Sequence, residues 1–281
     1  MTEELTSLAT QELVARALAI GSDEEDDYWA IVLAIRRRSD RPSFDIARRL
    51  CSEPSESART LGADILGQFG LLDGSPYLEE SFTTVVALCD TLQPSTVLES
   101  ALRALGHLYD ARALPTVLSF AGHAETGVRL AVAQSLYAVA GDPPAPDAVA
   151  ALLALMRDDD PDIRDWATFG LGSQLEVDTP EIRQALFARL DDPEADTAGE
   201  ALVGLAKRKD LEVVQHLIRR LEDGDVGNLV VEAAEASADP RCLPGLYKLR
   251  DEGWDLDDPR GGLLAVAIES CEGASRKPQL S

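Results

Sequence analysis

Apolar residues recur along the chain with the spacing of helices. In APDAVAALLALMRD (145–158), Leu152, Leu155 and Met156 share one face at i, i+3 and i+4. In PEIRQALFARLD (180–191), Ile182, Leu186 and Leu190 do so at spacing four. These stretches predict amphipathic helices with one buried stripe. A second kind of segment alternates with them. It opens on an apolar residue followed by Arg and continues with small residues, as in GVRLAVAQSLYAVAG (127–141) and PDIRDWATFGLG (161–172). Ala131, Ala133, Ala167, Gly170, Ala201 and Gly204 stand where neighbouring helices must approach closely.

Aligning the second kind of segment on the Leu seven residues after its Arg reveals a repeat. Arg59 precedes Leu66, Arg129 precedes Leu136 and Arg164 precedes Leu171. Weaker copies without Arg place Leu98 before Leu105, Ala198 before Leu205 and Leu229 before Ala236. Asp26 before Leu33 and Arg260 before Ala267 complete the set at the two ends. Eight near-regular units, 31 to 39 residues apart, therefore occupy residues 1–272 as one all-α solenoid of helix pairs, and 273–281 read as a polar tail. The first helix of each pair is predicted near 5–20, 42–52, 76–92, 111–122, 146–157, 180–190, 210–222 and 241–251.

Punctuation marks the same boundaries. Asp160-Pro161, Asp192-Pro193, Asp239-Pro240, Asp258-Pro259 and Thr179-Pro180 set a capping side chain before a proline suited to a first helical turn. Thr96 with Glu99 and Ser22 with Glu25 fit capping boxes. The acidic runs at 23–27, 158–162 and 255–259 lie just before second helices, where negative charge suits the helix N-terminus. None follows a calcium-loop pattern, so they read as caps and not metal loops.

Val128-Arg129…Leu136, Ile163-Arg164…Leu171 and the Asp-Pro turns before them resemble HEAT-like repeats, the short bacterial kind named after phycobilisome lyases. The resemblance is strong over 95–210 and weaker at both ends. It implies a right-handed α-solenoid whose second helices line a concave face. It also implies a ladder of turn Asp and helix Arg, with Asp162 beside Arg164 and Asp110 beside Arg129 as candidates. It does not fix an activity.

Charge narrows the partners. With 26 basic and 50 acidic residues the net charge is −24, which disfavours nucleic acid and anionic membranes and leaves a basic protein or peptide open. No stretch approaches the ~20 apolar residues of a membrane span, and the N-terminus shows no basic, apolar leader, so cytoplasm is the expected location. Cys51, Cys89, Cys242 and Cys271 form no zinc-spaced cluster and read as reduced core thiols.

Enzymes built on HEAT-like repeats provide the alternatives. Deoxyhypusine hydroxylase uses His-Glu pairs; this chain has none, and its three histidines sit in separate units. The alkylpurine DNA glycosylases use aromatics and a carboxylate in a basic channel, and Asp165-Trp166 echoes that only superficially. Nothing singles out a tetrapyrrole site of the lyase kind. The chain therefore reads as a non-enzyme without cofactor or metal: a scaffold that binds a protein or peptide on its concave face. Residues one, five and nine after the Arg position should form the exposed stripe. They include Glu99, Arg103 and His107; Leu130 and Gln134, with Tyr137 beside them; Asp165, Phe169 and Ser173; Val203 and Lys207; and Val230. An apolar strip of Leu130, Phe169, Val203 and Val230 stands out among them, unless the register is displaced by one and these residues are core.

Overall fold

A computed structural model describes residues 2–21, 25–71, 74–224, 226–254 and 262–276. Seventeen α-helices appear among them, with no strand. They pair as the repeat predicts: α1 (Thr2–Ser7) and α2 (Thr10–Ile20) with α3 (Glu25–Arg36), then α4 (Arg41–Leu50) with α5 (Glu56–Gly70), and α6 (Leu78–Cys89) with α7 (Ser95–Leu108). Next come α8 (Leu114–Leu118) with α9 (Thr126–Val139), then α10 (Pro146–Leu155) and α11 (Pro161–Phe169) in chain order, and α12 (Pro180–Phe187) with α13 (Ala195–Lys207). The last pairs are α14 (Val213–Asp223) with α15 (Asn228–Ser237), and α16 (Leu243–Asp251) with α17 (Leu263–Arg276). The fold is an α-solenoid. Its residues group into two compact units, Met1–Ala151 and Leu152–Ser281, described separately below.

Within each unit a second helix packs on its own first helix and on the next second helix. In the N-terminal unit α5 lies against α4 and α7, and α7 against α6 and α9. In the C-terminal unit α13 lies between α11 and α15, with α12 behind it, and α15 packs on α17. Small residues permit the approach. A Cβ on Gly204 would stand 2.7 Å from the Cα of Gly172, and one on Gly106 would stand 2.8 Å from Ser135 Oγ. The cores are aliphatic, with Leu61, Leu66, Leu102 and Leu136 fully buried in one unit and Ile163, Leu171, Leu186 and Leu205 in the other. All four cysteines are buried free thiols.

The repeated Arg is explained by the carbonyls left open before each second helix. Arg59 Nη1 donates to the carbonyls of Glu53 and Pro54 at 2.9 and 2.8 Å. Arg129 Nη1 reaches those of His123 and Ala124 at 3.0 and 3.1 Å. Arg164 Nη1 reaches those of Asp158 and Asp159 at 3.1 and 3.0 Å. The same fork then spans to the next turn: Arg59 Nε donates to Gln93 Oε1 at 2.9 Å, and Arg164 clasps both oxygens of Asp192 at 3.0 and 3.1 Å. One Arg–Asp rung of the expected kind is thus described, and it does not use the expected acid. Arg164 pairs forward with Asp192 and not with Asp162, because Asp162 sits on its own first turn. Asp110 instead caps Arg112 and pairs with its guanidinium at 2.6 Å.

Asp160 and Thr179 cap α11 and α12 through Ile163 N and Ile182 N, as expected from the Asx-Pro and Thr-Pro signals. Asp239 accepts from Arg241 N in a short 3₁₀ turn. The Asp192 carboxylate accepts from Glu194 N at 3.1 Å and also pairs with Arg164. The Thr96 capping box does not form: Pro94 precedes α7, and Thr96 Oγ1 donates to Glu56 Oε1 on the neighbouring helix. The Ser22–Glu25 box, Asp258-Pro259 and the acidic run at 255–259 lie outside the described residues.

Candidate functional site

The expected stripe begins from the Arg register, and the structure keeps part of it. On α9 of the N-terminal unit, Leu130, Gln134 and Tyr137 are half-buried. Gln134 Oε1 is a buried atom with no hydrogen bond among the described residues. Burial raises the Tyr137 phenol, and the neighbouring Tyr109 hydroxyl raises it further. In the C-terminal unit, Asp165, Phe169 and Ser173 are half-buried on one side of α11 and the turn that extends it, and Lys207 is exposed.

Val203 and Val230 are core, at 3% and 4% exposure, and are removed from the strip. The copies at Ala198 and Leu229 lack the Arg that fixes the phase elsewhere. On α13 the side that reaches solvent runs instead through Asp196, Glu200 and Lys207.

The result in the C-terminal unit is an acidic and aromatic patch. Ser173 Oγ donates to Glu200 Oε2 at 2.8 Å, and Lys207 Nζ donates to the Ser173 carbonyl at 3.0 Å. Trp166 meets Phe169 edge-on, with ring centroids 5.6 Å apart. Asp165 carries one buried oxygen without a hydrogen bond among the described residues, and so does the fully enclosed Thr197 hydroxyl. Burial, reinforced by Asp196, Asp162 and Asp192, pushes Asp165 up to about 6. Burial pushes Glu200 up to about 7; Ser173 works against the rise, Asp165 and Glu232 add to it, and Lys207 offsets part of it.

A π-turn over Gly170–Gln174 carries Ser173, with Leu175 N bonded to the Gly170 carbonyl at 3.1 Å. Such turns leave carbonyls unbonded within the helix. Arg208, only 6% exposed, collects them: it donates to the carbonyls of Leu171, Gly172, Val177 and Gly204 at 2.7–3.2 Å. The buried guanidinium locks Ser173 and the end of α11 onto α13.

The N-terminal unit holds a different polar cluster. Tyr28 OH donates to Asp64 Oδ2 at 2.7 Å, and Ser100 also bonds the carboxylate. Burial raises Asp64 despite these bonds and the nearby Arg103 charge. Burial lowers His107, and Arg103 and Arg36 lower it further.

Glu200, Thr197, Tyr28 and Asp64 escaped the sequence reading. Their signal was present: Glu200 and Asp64 are single acids inside the small-apolar runs AGEALVG and GADILGQ.

Residues 85–172 and 149–239 match the HEAT-repeat family. Protein YibA of Escherichia coli is 26% identical over 225 residues, which make up 77% of this chain and 79% of YibA. The X-ray structure of E. coli YibA matches with a TM-score of 0.69 at 22% identity, over 98% of this chain and 96% of that one. The complex of CpcE and CpcF of phycocyanin lyase from Nostoc matches at 0.51 and 16% identity, over 84% and 90% of the two chains. These structural likenesses show a shared fold.

Proposed function

Because this chain belongs to the HEAT-repeat family, we propose that it is a non-catalytic scaffold that holds a protein or peptide against the face carried by its second helices. The observation that supports this reading is the half-buried Trp166–Phe169 pair set among Asp165, Ser173 and Glu200. An aromatic anchor ringed by polar groups is the usual composition of an interaction hot spot. The raised Asp165 and Glu200 favour acid–base chemistry as a second reading, of the lyase or glycosylase kind. A net charge of −24 speaks against DNA as its substrate, since phosphate contacts require Lys and Arg.

Phe169→Asp tests the scaffold. Partners are identified by crosslinking in the source cell with mass spectrometry, and their affinities are then measured on purified protein. The variant is expected to keep its helical circular dichroism and to lose at least ~2 kcal/mol of binding. A folded variant with unchanged affinity for the same partners would overturn the reading.

A further inference from the structure

We propose that Cys242 and Cys271 form a redox staple: two-electron oxidation by a low-molecular-weight disulfide joins them and pins α17 to the turn before α16. Cys242 ends the 3₁₀ turn Pro240–Cys242, and Cys271 lies in α17, which packs on that turn. The two residues are 1% and 0% exposed, and their thiols hydrogen-bond to each other. Sulfurs in such contact start near the separation that a disulfide requires. The N-terminal unit supplies the contrast. Burial pushes Cys51 and Cys89 up to about 12, and no second thiol bears on either among the described residues.

The surroundings serve the pair unequally. The Ala234 carbonyl on α15 accepts from Ser237 Oγ at 2.9 Å, Ala238 N at 3.1 Å and Cys271 Sγ at 3.5 Å. Cys271 has one proton to share between that carbonyl and Cys242. The bond from Cys271 holds Cys242 below the ordinary thiol value; burial and Asp239 work against it, and Ser237 and Arg241 assist. The same bond, with burial, pushes Cys271 up. Ser237 and Arg241 belong to the same segment as Cys242 and stay with it when α17 moves. Cys242 is therefore the attacking thiol and Cys271 the resolving one.

Enclosed thiols react when the structure around them opens. Among the described residues α17 packs on α15, α16 and the 3₁₀ turn, while Ala265 and Val266 face solvent, the latter 46% exposed. Opening of this helix admits the reagent. The Cys242 thiol loses its proton, attacks one sulfur of the small disulfide and expels a thiolate. When α17 returns, Cys271 loses its proton and attacks the Cys242 sulfur, expelling the second thiolate. The pair gives up two electrons and two protons, and the small disulfide leaves as two thiols. The reduced chain holds α17 by packing alone, and the oxidised chain holds it covalently. The inference stands apart from the scaffold reading.

The test uses the full chain, reduced and then incubated with oxidised glutathione at pH 8. Remaining thiols are alkylated, and the unreduced digest is read by mass spectrometry. The expected product is a peptide pair joined through Cys242 and Cys271, with Cys51 and Cys89 alkylated, and dithiothreitol should reverse it. Hydrogen exchange of the α17 amides is expected to slow by about tenfold or more in the linked protein. Cys271→Ser should give neither the link nor the slowing, and should stop at a glutathione adduct on Cys242. Cys242→Ser should give neither link nor adduct. Diamide, a smaller oxidant that accepts the same two electrons and two protons, covers slow entry of glutathione. Failure of both reagents to join the pair, lasting adducts on wild type, or preferential oxidation of Cys51 or Cys89 would overturn the staple. So would a link that leaves exchange in α17 unchanged.

Discussion

Each unit buries part of an acid on a second helix, and the two acids are treated in opposite ways. Asp64 in the N-terminal unit is 6% exposed and has its donors at hand, Tyr28 at 2.7 Å and Ser100. Asp165 in the C-terminal unit stays half-buried, among other acids, with one oxygen unbonded. The first arrangement ties α3, α5 and α7 together. The second leaves an enclosed acceptor unused, at an atom that solvent does not reach. A buried acid with bonded oxygens holds its helices together, and one with an enclosed, unbonded oxygen contributes less.

The largest effect should come from breaking the satisfied side of this contrast. Tyr28→Phe removes a donor from an enclosed acceptor while keeping the ring that meets Trp29 edge-on at 5.7 Å. Stranding a buried acceptor costs ~1–3 kcal/mol. Urea denaturation followed by circular dichroism is expected to show a loss in that range. Unchanged stability would mean that the Tyr28 bond does not hold these helices together.

Much of this architecture was legible in the residues. The apolar-Arg start marked the second helices because its fork has a backbone task, reaching the carbonyls five and six residues earlier in three separate units. Asx-Pro turns located the first turns of helices for an equally local reason. The site was only half legible. Asp165, Phe169 and Ser173 fell on the accessible face because Arg164 fixed the phase of α11. Val203 and Val230 did not, since nothing comparable fixes α13 and α15; Lys207 reaches solvent at the end of α13. The partner of Arg164 is Asp192 and not the expected Asp162, because a link across 28 residues leaves no mark in local spacing. Glu200 acquires its character from Ser173 and Asp165, neighbours that only the packing of α11 on α13 supplies.

A smaller effect sharpens the contrast from the unsatisfied side. A carboxyl whose pKa is raised by folding binds more protons in the fold than in the open chain. Stability therefore falls as pH rises through the folded pKa. Between pH 6.5 and 8 this applies mainly to Glu200 at about 7 and, at the lower edge, Asp165 at about 6. His107 and His216, both lowered mainly by burial, act in the other direction, and their opposing share fades as pH rises past the ordinary imidazole value. The carboxyl share is therefore read as a difference: from pH 6.5 to 8 wild type is expected to lose about 1 kcal/mol or less relative to D165N/E200Q. Thermal melts of the two at matched ionic strength would show it. A wild type that gains stability relative to the variant across this window would contradict the assigned direction.

The smallest stability effect, and the closest control for Tyr28→Phe, belongs to Thr197→Val. Both substitutions remove one hydroxyl from an enclosed position, yet only one of those hydroxyls makes a hydrogen bond. A polar group buried without a bond has lost its water and gained nothing in return. Replacing it with a methyl group of similar size should therefore change stability by no more than about 0.5 kcal/mol, with any shift toward greater stability. Urea denaturation of both variants under the same conditions makes the comparison. A loss of stability as large as that of Tyr28→Phe would show that Thr197 is satisfied in the fold, and the difference between the two acids would disappear.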